Sequence, residues 1–271
     1  ICSVDVKDLL TVGESRLIEE IMDENVLCAR TLDDQEKVAA MIEKYSLVAI
    51  PIIDHENCLV GIVTVDDAMT VLQDEATEDI SIMAGVTPNE DSYFGTSVFQ
   101  HAKNRALWLM LLMLSATVSG EILAHYESAM AVMPILITFI PMLMGTSGNC
   151  GSQSSTMVIR GIAVGEIEFK EFFKVVFKEI RIAILVGLML AVVNGIRVYI
   201  MYDQDIMLAI AIGITMIAIV CMAKCIGCTL PLFAKKIGLD PALMAAPLIS
   251  TIMDTCTILM YFAIITAFFK L

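Results

Sequence analysis

Five apolar stretches, at 106–124, 129–159, 172–200, 206–233 and 241–269, restrict the possible folds of this chain more than any other feature. A helix rises about 1.5 Å per residue, so about 20 apolar residues cross the roughly 30 Å hydrocarbon core of a bilayer. Hydrocarbon holds no water to satisfy backbone N–H and C=O groups, so each stretch must close its own hydrogen bonds as a helix. The pattern therefore predicts five transmembrane helices in the bilayer of a cell membrane. A mean hydropathy of +0.79, with 58% hydrophobic residues, agrees.

Charge divides the chain in two. Residues 1–100 carry 21 Asp or Glu against 5 Lys or Arg, and residues 101–271 carry 10 against 12. An acidic module thus precedes a nearly neutral membrane module. Without a basic patch, nucleic acid is not an expected partner of the first part, whereas divalent cations are. Lys103, Arg105, Arg160, Lys170, Lys174, Lys178, Arg181, Lys235 and Lys236 fall at alternate connections. His125, Glu127, Arg197, Asp203 and Asp205 mark the opposite connections, with Lys270 at the terminus. The positive-inside rule then predicts a cytoplasmic N-terminal domain and a C-terminus outside. The sequence opens on Ile1 rather than Met, from which an upstream region is expected.

The last stretch contains a single charge, Asp254. An ionised carboxylate at mid-bilayer costs about 2.5–3.5 kcal/mol on insertion scales, so it faces a watery path, a bound cation or a bonded neighbour helix. Ala246, Ser250, Asp254, Thr257 and Tyr261 follow helical spacing along one face, with Leu248, Ile252 and Leu259 opposite. Asp240 stands fourteen residues earlier, about 21 Å away if one helix joins them. The second stretch contains Pro141 and then Gly145-Thr146-Ser147-Gly148-Asn149-Cys150-Gly151-Ser152-Gln153-Ser154-Ser155. Freed carbonyls with Asn149 and Gln153 suit a hydrated cation. The same small residues also suit a close helix–helix seam. A seam beside a pore satisfies both readings.

In the soluble third, 17–22 reads as the end of a short amphipathic helix. Thr31 onward reads as a helix start, 49–54 and 59–64 as strands, and 65–72 as a closing helix. Glu75, Glu78 and Asp79 fall at i, i+3 and i+4, on one helical face. Such a run is either a solvated acidic face or a site for a hard divalent cation held by oxygens. Residues 81–104 read as an amphipathic connector helix at the membrane surface, placed to transmit movement. Cys221, Cys225 and Cys228 share a helical face, which suits a soft metal or simple apolar packing. Neither a nucleophile–base set nor a Walker loop is present, so no enzyme or ATP-driven pump is expected.

Two resemblances follow. Residues 20–72, "EIMDENVLCARTLDDQEKVAAMIEKYSLVAIPIIDHENCLVGIVTVDDAMTVL", resemble a CBS domain, and "VDVKDLL" resembles the tail of a preceding repeat. The expected domains are a truncated first CBS tail at 1–15, a second CBS domain at 16–80, the connector at 81–104 and the membrane domain at 105–271. The CBS resemblance implies nucleotide contacts, with ATP as the possible ligand, for Thr64 and Asp67. Their alternative role is to cap and charge the start of the closing helix.

"PMLMGTSGNCGSQSSTMVIRG" and "LPLFAKKIGLDPALMAAPLISTIMDT", together with the CBS–connector–five-helix order, resemble the MgtE family of magnesium channels. The resemblance implies an α-helical membrane protein with a cytosolic α/β CBS domain, assembled as a homodimer. It implies a central ion site at Asp254, with Ser250 one turn away, an inner-mouth carboxylate at Asp240 and an outer one at Glu127. Gly145, Gly148 and Asn149 would line the path, and Asp67, Glu75, Glu78 and Asp79 would bind regulatory Mg²⁺. Ser152 and Ala246 stand where the family pattern carries amides, and Cys150 where it carries Thr, which bears on filter geometry. The implied function is Mg²⁺ uptake closed by cytosolic Mg²⁺. Alternatives are a nucleotide-regulated carrier that also takes Co²⁺, Mn²⁺ or Ni²⁺, and a non-transporting membrane sensor.

Overall fold

The computed structural model describes residues 2–13, 16–23, 25–89, 91–202 and 205–270, with the side chain at 246 outside the described set. Asp203, read above as an outer-loop carboxylate, lies outside the described residues. The chain divides into two compact units, Ile1–Glu78 and Asp79–Leu271.

The first unit starts with a short helix, α1 (Val6–Thr11), whose N-cap Asp5 accepts from the Lys7 backbone N–H. The helical end expected over 17–22 is a single 3₁₀ turn, Ile18–Glu20. Strand β1 (Ala29–Arg30) pairs in parallel with β2 (Ala49–Ile53), which pairs antiparallel with β3 (Leu59–Thr64). Between β1 and β2 runs α2 (Gln35–Tyr45). Its N-cap is Asp34, accepting from the Glu36 N–H at 3.1 Å, and Ser46 closes it in the left-handed region at φ 51°. Val38, Ala39 and Ile42 of α2 meet Ala29, Ile50 and Ala68 in a small core. Asn57, at φ 60°, makes the β2–β3 turn, a conformation Asn tolerates better than most residues. Helix α3 (Val65–Met83) continues well past the expected closing helix.

The second unit is helical. After α3 the backbone leaves helix at Ala84, and Gly85 adopts φ 69°. The connector expected over 81–104 is therefore not one helix. Gly85 and Pro88 stop the first helix, and Ser97 starts the next by accepting from the Gln100 N–H at 3.2 Å. That next helix, α4 (Val98–His125), joins the end of the connector to the first apolar stretch. The second stretch is also divided. A six-residue α5 (Glu127–Val132) and a 3₁₀ segment (Pro134–Phe139) precede α6 (Ile140–Ala163). Pro134 and Pro141 have no N–H to give, so helix restarts at each of them. The long helices α7 (Phe172–Met201) and α8 (Ile206–Lys236) follow. The final stretch opens as a 3₁₀ turn, Pro241–Met244, and only then becomes α9 (Ala246–Phe269). Asp240 and Asp254 consequently do not share a helix.

α6 packs on α8 and α9, and α7 packs on α8. The core is built from Leu136, Phe139, Leu143, Ile212, Ile219, Ile249 and Phe262, all fully buried. Among the described residues three helices are long and apolar enough to cross a membrane, namely those over Val98–His125, Ile206–Lys236 and Pro241–Phe269.

Candidate cation path

Asp254 sits mid-way along α9, half-buried, and makes no hydrogen bond or ion pair with any described residue. The oxygen-bearing face to which it belongs is not uniformly open. Thr257 and Tyr261, one and two turns on, are buried. The Thr257 hydroxyl donates to Ser147 Oγ of α6 at 2.7 Å, and Tyr261 donates to the Leu136 carbonyl at 2.9 Å. Thr255 shares a 2.7 Å hydrogen bond with Ser119 of α4. The hydroxyls around Asp254 thus tie α9 to its neighbours, and the carboxylate is left out of these ties.

Towards the start of α9 the face opens again, and α6 meets it there. A Cβ placed on Gly148 would lie 3.4 Å from Ser250 Oγ, so the small Ser250 side chain packs directly on the α6 backbone at this level. Gly145 and Asn149 are exposed on the same length of α6, and open space surrounds Gly145. One turn further, a Cβ on Gly151 would come 2.8 Å from Ile249 and 3.2 Å from Met253. A Cβ on Gly227 of α8 would overlap the Gly151 carbonyl oxygen. The small residues of α6 therefore form a seam against both α8 and α9, while its opposite face stays polar and open. The seam reading of this segment holds, whereas the expected break with freed carbonyls does not form: α6 runs unbroken from Ile140 to Ala163, with Pro141 in its first turn, where a missing N–H costs no helical bond.

Asp240 is exposed and accepts from the Ala242 N–H at 2.8 Å, capping the 3₁₀ turn that leads into α9. The Ser155 hydroxyl reaches the Met244 carbonyl at the end of that turn and fastens it to α6. Glu127 is exposed in the first turn of α5. Its neighbour Tyr126 stacks on Phe262 of α9, with centroids 4.4 Å apart and planes 6° from parallel. Spacing alone held no signal for that stack.

In the first unit, Thr64 donates to the Asp67 carboxylate at 2.9 Å across the start of α3. This is the helix-start arrangement, and it engages both groups read as nucleotide contacts. Asp66 beside them is held below its ordinary value, first by hydrogen bonding at Thr64 and then by backbone N–H groups of α3. Glu75 accepts from the Gln35 amide of α2 at 3.0 Å. Glu78 and Asp79 continue along α3. Among the described residues no three His, Cys, Asp or Glu side chains converge on a common point. The three cysteines of α8 do not form a soft-metal site either, and Cys228 instead donates to the Cys225 carbonyl at 3.2 Å.

Sequence reasoning missed one polar group entirely. Glu179 of α7, Ser154 of α6 and Lys224 of α8 meet between their helices. Lys224 was passed over as a neighbour of the cysteines, and Glu179 lies in a basic run. The signal available was Lys224 itself, the sole charge inside the apolar stretch 206–233.

The second unit is thus a helical bundle with a lone carboxylate in its last helix, and the first is a small α/β domain. Known proteins of the same order exist. Residues 140–264 match the MgtE family, described as "Divalent cation transporter", and residues 18–74 match the CBS domain. The "Magnesium transporter MgtE" of Thermus thermophilus is 34% identical over 96% of this chain and 58% of its own length. That of Bacillus subtilis is 35% identical over 97% and 57%, and that of Enterococcus faecalis 32% identical over 98% and 58%. A solved structure, "Crystal structure of the soluble part of a magnesium transporter", is 41% identical over 27% of this chain and 28% of its own, with a TM-score of 0.26. The chain carries an MgtE-family domain and a CBS domain, and its likeness to these transporters extends over nearly its whole length. It spans somewhat over half the length of these curated relatives.

Proposed function

We propose that the chain carries the ion path and part of the cytosolic regulator of a homodimeric Mg²⁺ transporter of the cell membrane. The observation that carries this reading is Asp254, half-buried, unpaired among the described residues, and flanked by hydroxyls that are bonded elsewhere. An intramembrane carboxylate left without a protein partner is suited to a cation. Relatives named as magnesium transporters favour Mg²⁺ as that cation.

In the proposed arrangement five spans cross the membrane, the acidic domain lies in the cytoplasm and the C-terminus lies outside. Two Asp254 carboxylates face each other across a two-fold axis, and a divalent ion relieves their repulsion better than a monovalent one. Mg²⁺ gives up water reluctantly, so it passes largely hydrated. Asn149, Ser250 and backbone oxygens at Gly145 and Gly148 contact its waters. Asp240 gathers ions at the inner mouth and Glu127 at the outer. Mg²⁺ held at the acidic face of Asp67, Glu75, Glu78 and Asp79 offsets the charge of the cytosolic domains and favours the closed state. This is feedback through a difference in affinity between two states.

The test is uptake of Mg²⁺ into liposomes by the full-length protein, read with an enclosed dye. Asp254→Ala is expected to abolish uptake, and uptake at the parent rate would remove Asp254 from the path. Calorimetry with Mg²⁺ and ATP titrated separately distinguishes an ion-sensing from a nucleotide-sensing domain.

A further inference from the structure

A cavity of about 940 Å³ opens between α6 and α7, with α8 as its floor. Its α6 wall carries Asn149, Ser152 and Gln153, the polar outward face of the seam described above. At its base lie Ser154, Glu179 and Lys224. The Ser154 hydroxyl donates to Glu179 Oε2 at 2.6 Å, and Lys224 Nζ donates to Ser154 Oγ at 3.2 Å. The ammonium lies 3.7 Å from the same carboxylate oxygen, and the Lys224 and Glu179 side chains are only 6% and 13% exposed. One serine of α6 is therefore gripped from both sides by opposite charges of α7 and α8. The grip falls one turn from Gly151, where α6 touches α8 backbone to backbone.

Position makes this pair costly. Glu179 lies seven residues into α7, about 10 Å from the start of the helix, and Lys224 lies twelve residues from the end of α8, about 18 Å. Buried pairs repay their desolvation poorly, and apolar residues of similar volume often serve stability as well or better. Removing one partner, by contrast, leaves an uncompensated charge and is strongly disruptive. Stability alone thus gives little reason for the pair. What it supplies is a directional tie, because Ser154 sits five residues beyond Asn149 and one beyond Gln153 on the same helix. A hydroxyl bonded on both sides fixes the rotation and the height of that helix, which apolar packing does not.

We propose that Glu179, Ser154 and Lys224 form an intramembrane latch that sets the placement of the Asn149–Gln153 face of α6. Glu179 and Lys224 are then positioning residues for cation discrimination and do not touch the cation themselves. The assignment of a purpose rests on the transport reading above, whereas the latch itself rests on the three contacts.

The experiment uses the full-length protein in liposomes, with Mg²⁺ uptake measured alone and against competing Ca²⁺. Glu179→Gln and Lys224→Met are expected to lower the Mg²⁺-to-Ca²⁺ uptake ratio at least five-fold. The charge-swapped pair, Glu179→Lys with Lys224→Glu, is expected to recover at least half of the parent ratio. The apolar pair, Glu179→Leu with Lys224→Met, is expected to match the parent in melting temperature and elution volume yet keep the low ratio. That outcome separates positioning from plain stability. Hydrogen exchange of the peptide covering 145–157 should speed up in the single variants and slow again in the swap, whatever ion is carried. Folded single variants with the parent ratio and parent exchange overturn the proposal, as does an apolar pair with the parent ratio. A parent protein that takes up no Mg²⁺ instead overturns the transport reading, and the exchange measurement then decides the latch alone.

Discussion

Asp254 and the glycines of α6 and α8 illustrate opposite demands on single residues. The carboxylate is expensive to hold in apolar surroundings, and the protein offers it no partner among the described side chains. Asp254→Asn keeps shape and hydrogen-bonding capacity but removes charge. It is expected to leave the melting temperature unchanged or raised while lowering Mg²⁺ uptake by more than about ten-fold, measured in liposomes with Asp254→Ala as reference. Gly227 makes no claim on chemistry, only on space. Any Cβ there meets the Gly151 carbonyl, which is backbone and cannot rotate away. Gly227→Ala is therefore expected to cost about 1–3 kcal/mol, read as a lowered melting temperature in detergent. Gly145→Ala, with open space around it, should cost far less.

Helix ends carry the argument at the scale of elements. Asp34 caps α2 through the Glu36 N–H, so Asp34→Ala is expected to destabilise the first unit by about 1 kcal/mol in a denaturant titration. At the start of α3, Asp66 has a lowered folded value, so its ionised form favours the native state. Its contribution is present above the unfolded carboxylate value and is lost as pH falls through the folded value. Asp66→Asn should flatten the acid limb of the first unit's stability profile, followed by circular dichroism from pH 7 downward. These elements also show how far the sequence could be read. Strands 49–53 and 59–64 were legible because short runs rich in Ile and Val, bounded by turn residues, are a local signal. The lone charge of Asp254 was legible because a carboxylate in an apolar run stands out. The divided second stretch was not, since hydropathy averages across Pro134 and Pro141 and does not register a missing N–H. Neither was the contact of Ser154 with Glu179 and Lys224, because partners 25 and 70 residues apart meet only through the packing of α6, α7 and α8.

For the whole molecule, the acidic first unit and the helical second unit divide sensing from conduction in the proposed mechanism. Neutralising the acidic face should then loosen regulation without touching the path. Glu75→Gln combined with Glu78→Gln is expected to shift the inhibitory Mg²⁺ concentration upward several-fold, with the unregulated rate unchanged, in patch or flux recordings at graded internal Mg²⁺. An unchanged inhibitory concentration would place the sensor elsewhere. The touching backbones at Gly151 and Gly227 restrict which movements such a signal can produce. At that point no side chain separates α6 from α8, so in the proposed mechanism a tilt about the contact costs less than a slide along it. Under a tilt, displacement grows with distance from the pivot. Asn149, two residues away, barely moves, while Arg160, nine residues and about 14 Å away, swings widely. In that mechanism the Gly151–Gly227 contact would be the fixed seat of a valve, and the far end of α6 its flap.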